Sequence, residues 1–559
     1  MKSLILVIFL APLLFGASSF TSNNSGADPV STIDSLETAQ VNWHLLDPVR
    51  DNIQGISMDK LYEELLKGKN AKKKIIVAVI DSGVDIGHED LRGKIWTNQK
   101  EIPGNGIDDD NNGFVDDIHG WNFIGNSDGT NVEHETLEYV RIVRDYEKRF
   151  GKIKSINDLP ASDRKLFEMY HQSRKKLAKE REKYEAEREN IELFVQGLAI
   201  SEELVQEALG KEDYTQEDLL ALVTDSQDVM SAKLFLLNIY SRGFTYQDLN
   251  EVKDYYDTRL DKHLNTSFNP RVIVNDNPED INDTSYGNND VKGPRSDHGT
   301  FVAGIIAANR NNNLGIDGIA ENVKIMVLRA VPDGDEYDKD VALAIRYAVD
   351  NGANIINMSF GKEFSPQKEM VDDALRYAEQ NNVLVVHAAG NNATNIDDKT
   401  HYPTARLDDN TIAASVITVG AISKNLNYQL LGNFTNYGKN EVDIFAPGVD
   451  MVSLYPENKY NMGSGTSFSS PVVAGIAALI WSYHPELSAL QVKDVLLNSV
   501  VKYPKQKVYL PNDDTGKTKK VKFSKLSKTG GIINAYEAFK YAEKLVESQV
   551  INSSSIHLN

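Results

Sequence analysis

Lys74-Ile75-Ile76-Val77-Ala78-Val79-Ile80-Asp81-Ser82-Gly83 is the stretch on which the fold turns. Six apolar residues in a row, five of them β-branched, suit a strand buried on both faces, as in a parallel sheet. The run stops at Asp81, so a carboxylate sits at the carboxyl end of the strand, where α/β sheets place their ligands. From His298 the same logic repeats. Helical patterns at 298–308, 338–350 and 367–380 alternate with strand patterns at 325–328, 355–358, 383–386 and 416–419. Strands alternating with helices of this length predict an α/β fold with a doubly wound, mostly parallel sheet. A short amphipathic helix is expected over 59–67, and a final helix over 535–547.

A second stretch carries chemistry. Gly463-Ser464-Gly465-Thr466-Ser467-Phe468-Ser469-Ser470-Pro471 precedes Val472 to Trp481, which is apolar on every side. A helix apolar all round is a core helix or a membrane span, and this run is too short to span a bilayer. Pro471 fits the first turn of a helix, where a missing N–H costs little. The glycines thus mount the Ser467 hydroxyl at the start of a buried helix, where free N–H groups and the positive dipole end stabilise developing negative charge. Taken alone, the stretch reads first as a small-residue turn before a core helix.

Residues 133–285 break the alternation. They are dense in Lys, Arg and Glu and poor in glycine. Leu166, Tyr170, Ser173, Leu177, Tyr184, Ile191 and Leu198 recur at spacings of three, four or seven, the pattern of an amphipathic helix that packs as a coiled-coil hairpin. Thr215-x-x-Asp218 and Thr245-x-x-Asp248 read as capping-box starts of further helices. An inserted all-α subdomain is expected here. The chain divides into a signal peptide (1–19), a polar leader (20–42), the first part of the α/β domain with an acidic loop (43–132), the insertion (133–285), the second part (286–549) and a polar tail (550–559).

Composition sets bounds. The 559 residues carry a formal net charge of −21, which speaks against nucleic acid as a partner. There are no cysteines, so disulfides, thiolate zinc sites and cysteine nucleophiles are excluded. Lys2, the apolar run 4–15 and Gly16-Ala17-Ser18-Ser19 form a secretory signal with cleavage near 17–19. No later stretch is long and apolar enough for a membrane span, so an exported mature chain, periplasmic or extracellular, is expected.

Three islands now join: Val79-Ile80-Asp81-Ser82-Gly83-Val84-Asp85, Asp297-His298-Gly299-Thr300-Phe301-Val302-Ala303-Gly304, and Gly465-Thr466-Ser467-Phe468-Ser469-Ser470-Pro471. Together they resemble the three signatures of the subtilase family of serine proteases, in the same Asp…His…Ser order. Ala388-Ala389-Gly390-Asn391 resembles the segment carrying the family's oxyanion asparagine, and Asn357-Met358-Ser359-Phe360-Gly361 the strand that pairs with substrate backbone. The resemblance covers roughly 60–125 and 285–545. It implies acyl transfer on polypeptide substrates. Ser467 would attack the peptide carbonyl, His298 would move the proton, and Asp81 would hold the imidazole. Asn391 and the Ser467 N–H would bind the oxyanion. Ser359, Phe360, Gly361, Ala388 and Gly390 would line the substrate groove by strand addition. Phe360 stands where the family commonly has a smaller aliphatic residue, which bears on pocket size.

Calcium is the expected ion. Asp108, Asp110, Asn112 and Asp116 place oxygen ligands at alternate positions around Gly113, like the first part of an EF-hand loop, with His119 in place of its bidentate Glu. Asn311 to Ile316 resembles the family loop holding a structural calcium, with Asn312 in the loop and Asp90 as its carboxylate partner. His88-Glu89 lacks a second histidine at zinc spacing and reads as a surface turn.

Two departures from the family stand out. Asp81 and His298 lie 217 positions apart because of the insertion, which surface loops tolerate when their ends lie close. The insertion is a place where a protein partner would dock, or a stable appendage. Between the signal and Ile75 the chain is short for the folded inhibitory segment of many secreted relatives. The competing reading is a catalytically silent or gated binding protein on the same scaffold. A sugar-active enzyme using paired carboxylates is the third.

Overall fold

The computed structural model describes residues 41–241, 246–511 and 519–556. The expected signal peptide, most of the polar leader and Thr245 lie outside the described residues. Contacts divide the described chain into two compact units, one of them 139–269 and the other the remainder.

Among the described residues, thirteen strands are β1 (Ile75–Asp81), β2 (Gly120–Asn122), β3 (Val323–Arg329), β4 (Ile355–Met358), β5 (Leu384–Ala388), β6 (Val416–Ile422), β7 (Ile444–Pro447), β8 (Met451–Tyr455), β9 (Lys459–Gly463), β10 (Val501–Lys502), β11 (Lys507–Tyr509), β12 (Lys520–Lys522) and β13 (Gly531–Ile532). Nine form one sheet in the order β10-β13-β7-β6-β5-β4-β1-β3-β2. All its pairings are parallel except β10 with β13. The chain leaves β1 toward β3 on one side and β4 on the other. That reversal opens a crevice beyond the carboxyl ends of the strands, and Asp81 is the last residue of β1.

The continuous apolar run of β1 is explained by its two covers. Val77 and Val79 face one core with the helices Asp297–Ala307 and Thr466–Tyr483, while Ala78 and Ile80 face another with Asp338–Asp350 and Lys368–Gln380. β3 repeats the split, with Ile325 and Val327 on one side and Met326 and Leu328 on the other. The expected doubly wound α/β sheet is therefore present. The helix expected at 59–67 spans Met58–Glu64, and the final helix runs to Ile556.

Pro471 departs from expectation. The helix begins at Thr466, so proline sits inside it rather than in its first turn. Its missing N–H leaves the Ser467 carbonyl, four residues back, without a helical donor. The Ser359 hydroxyl donates to that carbonyl at 2.7 Å and makes good the loss.

The helical unit is built on one 49-residue helix, Ala161–Leu209, about 74 Å long at helical rise, ended by Gly210 at φ 69°. Tyr170, Ser173, Leu177, Ile191 and Leu198 lie on its buried side as the spacing predicts, and Phe167 is buried beside the half-exposed Leu166. Thr215 and Asp218 form the predicted capping box. Farther along the chain, Arg271 pairs with Asp276 at 2.6 Å and with Asp340 at 2.9 Å, and buried Lys339 reaches Asp276 at 2.7 Å. These ions hold 270–276 in place within the α/β unit, because breaking one buried pair would strand its partner's charge. Among the described residues, no helix is long and apolar enough to cross a membrane.

Candidate active site

Asp81 is buried at the carboxyl edge of β1, and its Oδ1 accepts the Ser82 N–H at 2.7 Å. His298 stands in the first turn of the helix Asp297–Ala307, and its Nδ1 lies 2.8 Å from the same oxygen. With Nδ1 engaged, Nε2 is the ring nitrogen left for a substrate-side partner. Burial works against charge on this ring, but the Asp81 charge and hydrogen bond, with Asp297, outweigh it and hold the imidazole above its ordinary pKa. Backbone packing fixes the pair. A methyl on Gly299 would overlap the Gly83 carbonyl oxygen, and one on Gly83, at φ 121°, would overlap that of Lys292.

Ser467 follows Thr466 at the start of its helix, after Gly465 in an extended conformation. The Phe468 ring stacks on Phe301 at 4.1 Å and lies 5.7 Å from the His298 ring, so the serine and histidine helices pack together next to Ser467. Asn391 is brought to the same place. Its Oδ1 accepts both the Thr466 N–H and the Thr466 hydroxyl at 2.9 Å. The Thr466 hydroxyl in turn accepts the Gly390 N–H at 3.0 Å. These contacts commit the amide oxygen and leave Nδ2 as the outward donor.

The expected groove residues converge as well. Ser359 is buried, and its hydroxyl joins Asn357 Nδ2 at 2.9 Å to the Ser467 carbonyl, while Ser470 donates to Asn357 Oδ1 at 2.7 Å. Phe360 is half-buried against the core under β4, and its carbonyl is 2.9 Å from His387 Nε2. Ala388 ends β5, and Gly390 follows at φ 98°. Sequence reading missed Thr466, Asn357 and Ser470 as supports. The Thr466–Asn391 and Asn357–Ser470 pairs span 75 and 113 positions, and no local pattern records that.

The acidic loop divides its labour. Oxygens of Asp108, Asp110 and Glu101 lie within 4.8 Å of one another. Glu101 is buried with one oxygen unpartnered, a position suited to a hard cation. Asp116 faces other work, accepting the N–H groups of Gly104 at 2.7 Å and Gly106 at 2.9 Å. Asn112 gives its amide to Asp117 at 2.9 Å and takes the Phe114 N–H at 2.8 Å. Asn312 and Asp90 do meet, with Nδ2 to Oδ1 at 2.6 Å, and Asp90 Oδ2 is buried without a partner.

Comparison with known proteins follows the same lines. The profile of the subtilase family matches residues 72–526. The chain is 37% identical over 259 residues to a thermophilic serine proteinase of Bacillus sp. (strain AK1), covering 44% of this chain and 59% of that protein. It is 39% identical over 202 residues to subtilisin DY of Bacillus licheniformis, covering 36% of this chain and 68% of that one. The chain thus spans less than two thirds of the first of these relatives. Among solved structures, a cold adapted subtilisin-like serine proteinase is 30% identical over 40% of this chain and 73% of its own, at a TM-score of 0.32.

Proposed function

The chain belongs to the subtilase family, and on that premise we propose that it is an exported serine endopeptidase that cleaves polypeptides through an acyl-enzyme. The observation that carries the reading is the hydrogen bond, 2.8 Å long, between buried Asp81 and partly exposed His298, beside the helix that begins at Thr466-Ser467. In this reading Ser467 Oγ attacks the peptide carbonyl and His298 Nε2 takes its proton, later giving it to the leaving amine. Asp81 on Nδ1 keeps the ring in the tautomer that accepts at Nε2 and stabilises the imidazolium. Asn391 Nδ2, its oxygen held by Thr466, and the Ser467 N–H then meet the oxyanion; removing one such donor costs on the order of 10²–10³ in turnover. Export rests on the charged start, apolar run and small residues of 1–19.

Calcium belongs to the same reading, as a structural ion. Glu101, Asp108 and Asp110 would hold it in the acidic loop, and Asp90 with an oxygen of Asn312 in the second site. Bound there, it would screen carboxylates that otherwise repel.

Labelling the full chain with a fluorophosphonate, against Ser467→Ala, tests the enzyme. Labelling that disappears in the variant is expected. A folded, calcium-loaded wild type that does not label overturns the proposal.

A further inference from the structure

Among the described residues, the helical unit buries one side of its helices and leaves a second apolar side exposed. Leu219, Leu222, Ala232 and Leu236 join Leu198 and Val205 of the long helix in one buried cluster. Outside that cluster, Leu220 is 61% exposed, Val223 91%, Met230 38% and Leu234 60%. Met230 and Leu234 stand one turn apart on one face of the helix Gln227–Ser241. Lys233, between them, donates its ammonium to the carbonyls of Leu220 at 3.0 Å and Leu222 at 2.8 Å. That contact sets the end of the helix Gln216–Ala221 beside this face, so the four exposed side chains share one patch. Single exposed hydrophobes need no account, but a cluster with a polar rim marks an interaction site. The rim here has one sign. Residues 212–232 hold six carboxylates and no lysine or arginine. Glu212, Asp213, Glu217, Asp225 and Asp228 are exposed, while Asp218 is paired with Lys211 at 2.7 Å.

We propose that this patch is a docking surface for a basic amphipathic helix carried by another protein. The apolar face of that helix would cover Leu220, Val223, Met230 and Leu234, its side chains recurring every three or four residues to match the one-turn spacing of Met230 and Leu234. Its lysines or arginines would stand over the acidic rim, which steers a cation in and turns an anion away. The charge also decides against other occupants. A second copy meeting the patch through a two-fold axis would set acidic rim against acidic rim. An anionic lipid surface would meet the same repulsion. The face is firm from behind, since Leu219 and Leu236 are buried and the Phe194 and Phe235 rings lie 5.4 Å apart, so binding has little ordering left to impose. The proposal is independent of the chemistry at Ser467.

The probe is a fluorescent leucine–lysine peptide of about five helical turns, with a glutamate-for-lysine twin and a scrambled version of the same composition. Each is titrated by anisotropy against the full chain carrying Ser467→Ala, which keeps the peptide from being cut. The lysine peptide is expected to bind with a Kd of about 1–10 µM, and the glutamate twin at least about 10-fold more weakly. Val223→Ser, Met230→Gln and Leu234→Gln together should weaken binding by about 10-fold or more with helical content unchanged, since all three side chains face solvent. Asp225→Lys with Asp228→Lys leaves the apolar patch intact and should weaken binding several-fold while flattening its dependence on salt. Affinity that stays within twofold in either set overturns the proposal, as does a scrambled peptide that binds as tightly as the amphipathic one. Self-association of the chain that the apolar substitutions abolish, read by sedimentation, assigns the patch to a second copy and overturns it too. Binding to phosphatidylcholine vesicles that is lost in the same variant does so in favour of a membrane.

Discussion

Thr466→Val keeps the outline of a side chain and removes one oxygen. In the folded protein that oxygen accepts the Gly390 N–H at 3.0 Å and donates to Asn391 Oδ1 at 2.9 Å, on a residue with no solvent exposure. The substitution leaves the Gly390 N–H buried without an acceptor, at a cost of about 1–3 kcal/mol in stability. Asn391 keeps a single anchor, the Thr466 N–H, and its amide is free to turn. Removing the amide donor outright costs on the order of 10²–10³ in turnover, which sets the ceiling; a donor loosened but present should cost about 10-fold. The assay is kcat and KM on a short peptide for Thr466→Val, Asn391→Leu and the double variant, with thermal unfolding alongside. In the proposed mechanism this interaction is made with the oxyanion and not with the ground-state substrate, so kcat should fall while KM stays within twofold. The double variant should be little slower than Asn391→Leu alone, because both changes strike one device. Losses that add in full, or an unchanged kcat with a lowered Tm, would show that Thr466 does not act through Asn391.

Two further outcomes follow from the same geometry. Since Asp81 holds the His298 imidazole above its ordinary pKa against the effect of burial, kcat/KM of wild type should fall as pH drops through that raised value. Asp81→Asn should move this acidic limb to lower pH and reduce kcat by on the order of 10⁴; a limb that stays in place refutes the assignment. The linkage has a definite sign: the pair's contribution to stability is complete below the ordinary histidine pKa and is lost as pH rises through the raised one. Calcium at 100 times its dissociation constant should add about 2.7 kcal/mol per site to folding stability, read as a raised Tm. Asp90→Asn and Asp110→Asn should each remove part of that increment, and a Tm indifferent to calcium refutes both sites.

What the sequence made legible was whatever is written locally. The run Ile75–Ile80 announced a strand covered on both faces, and its two core memberships are the reason it contains no polar position. The islands around Asp81, His298 and Ser467 were readable because small residues and a functional side chain are packed into a few positions. Illegible were the features made by chain segments meeting at a distance. Thr466 looks like any residue before a helix until Gly390 and Asn391 arrive beside it. Pro471 was placed in a first turn because nothing nearby reveals that the Ser359 hydroxyl replaces its missing donor. The strands β2, β10 and β13, two or three residues each, are too short for any period to register.

Gly83 and Gly299 carry no functional group, yet each faces another residue's carbonyl oxygen at a separation no β-carbon permits. Both contacts are backbone against backbone, so no side chain can swing aside to make room. The tolerance of this region to substitution is thereby inverted. A saturation library selected for activity would return a free choice at many of the larger residues around the cleft. At these two positions it would return glycine alone, as unyielding as Asp81 and His298 beside them.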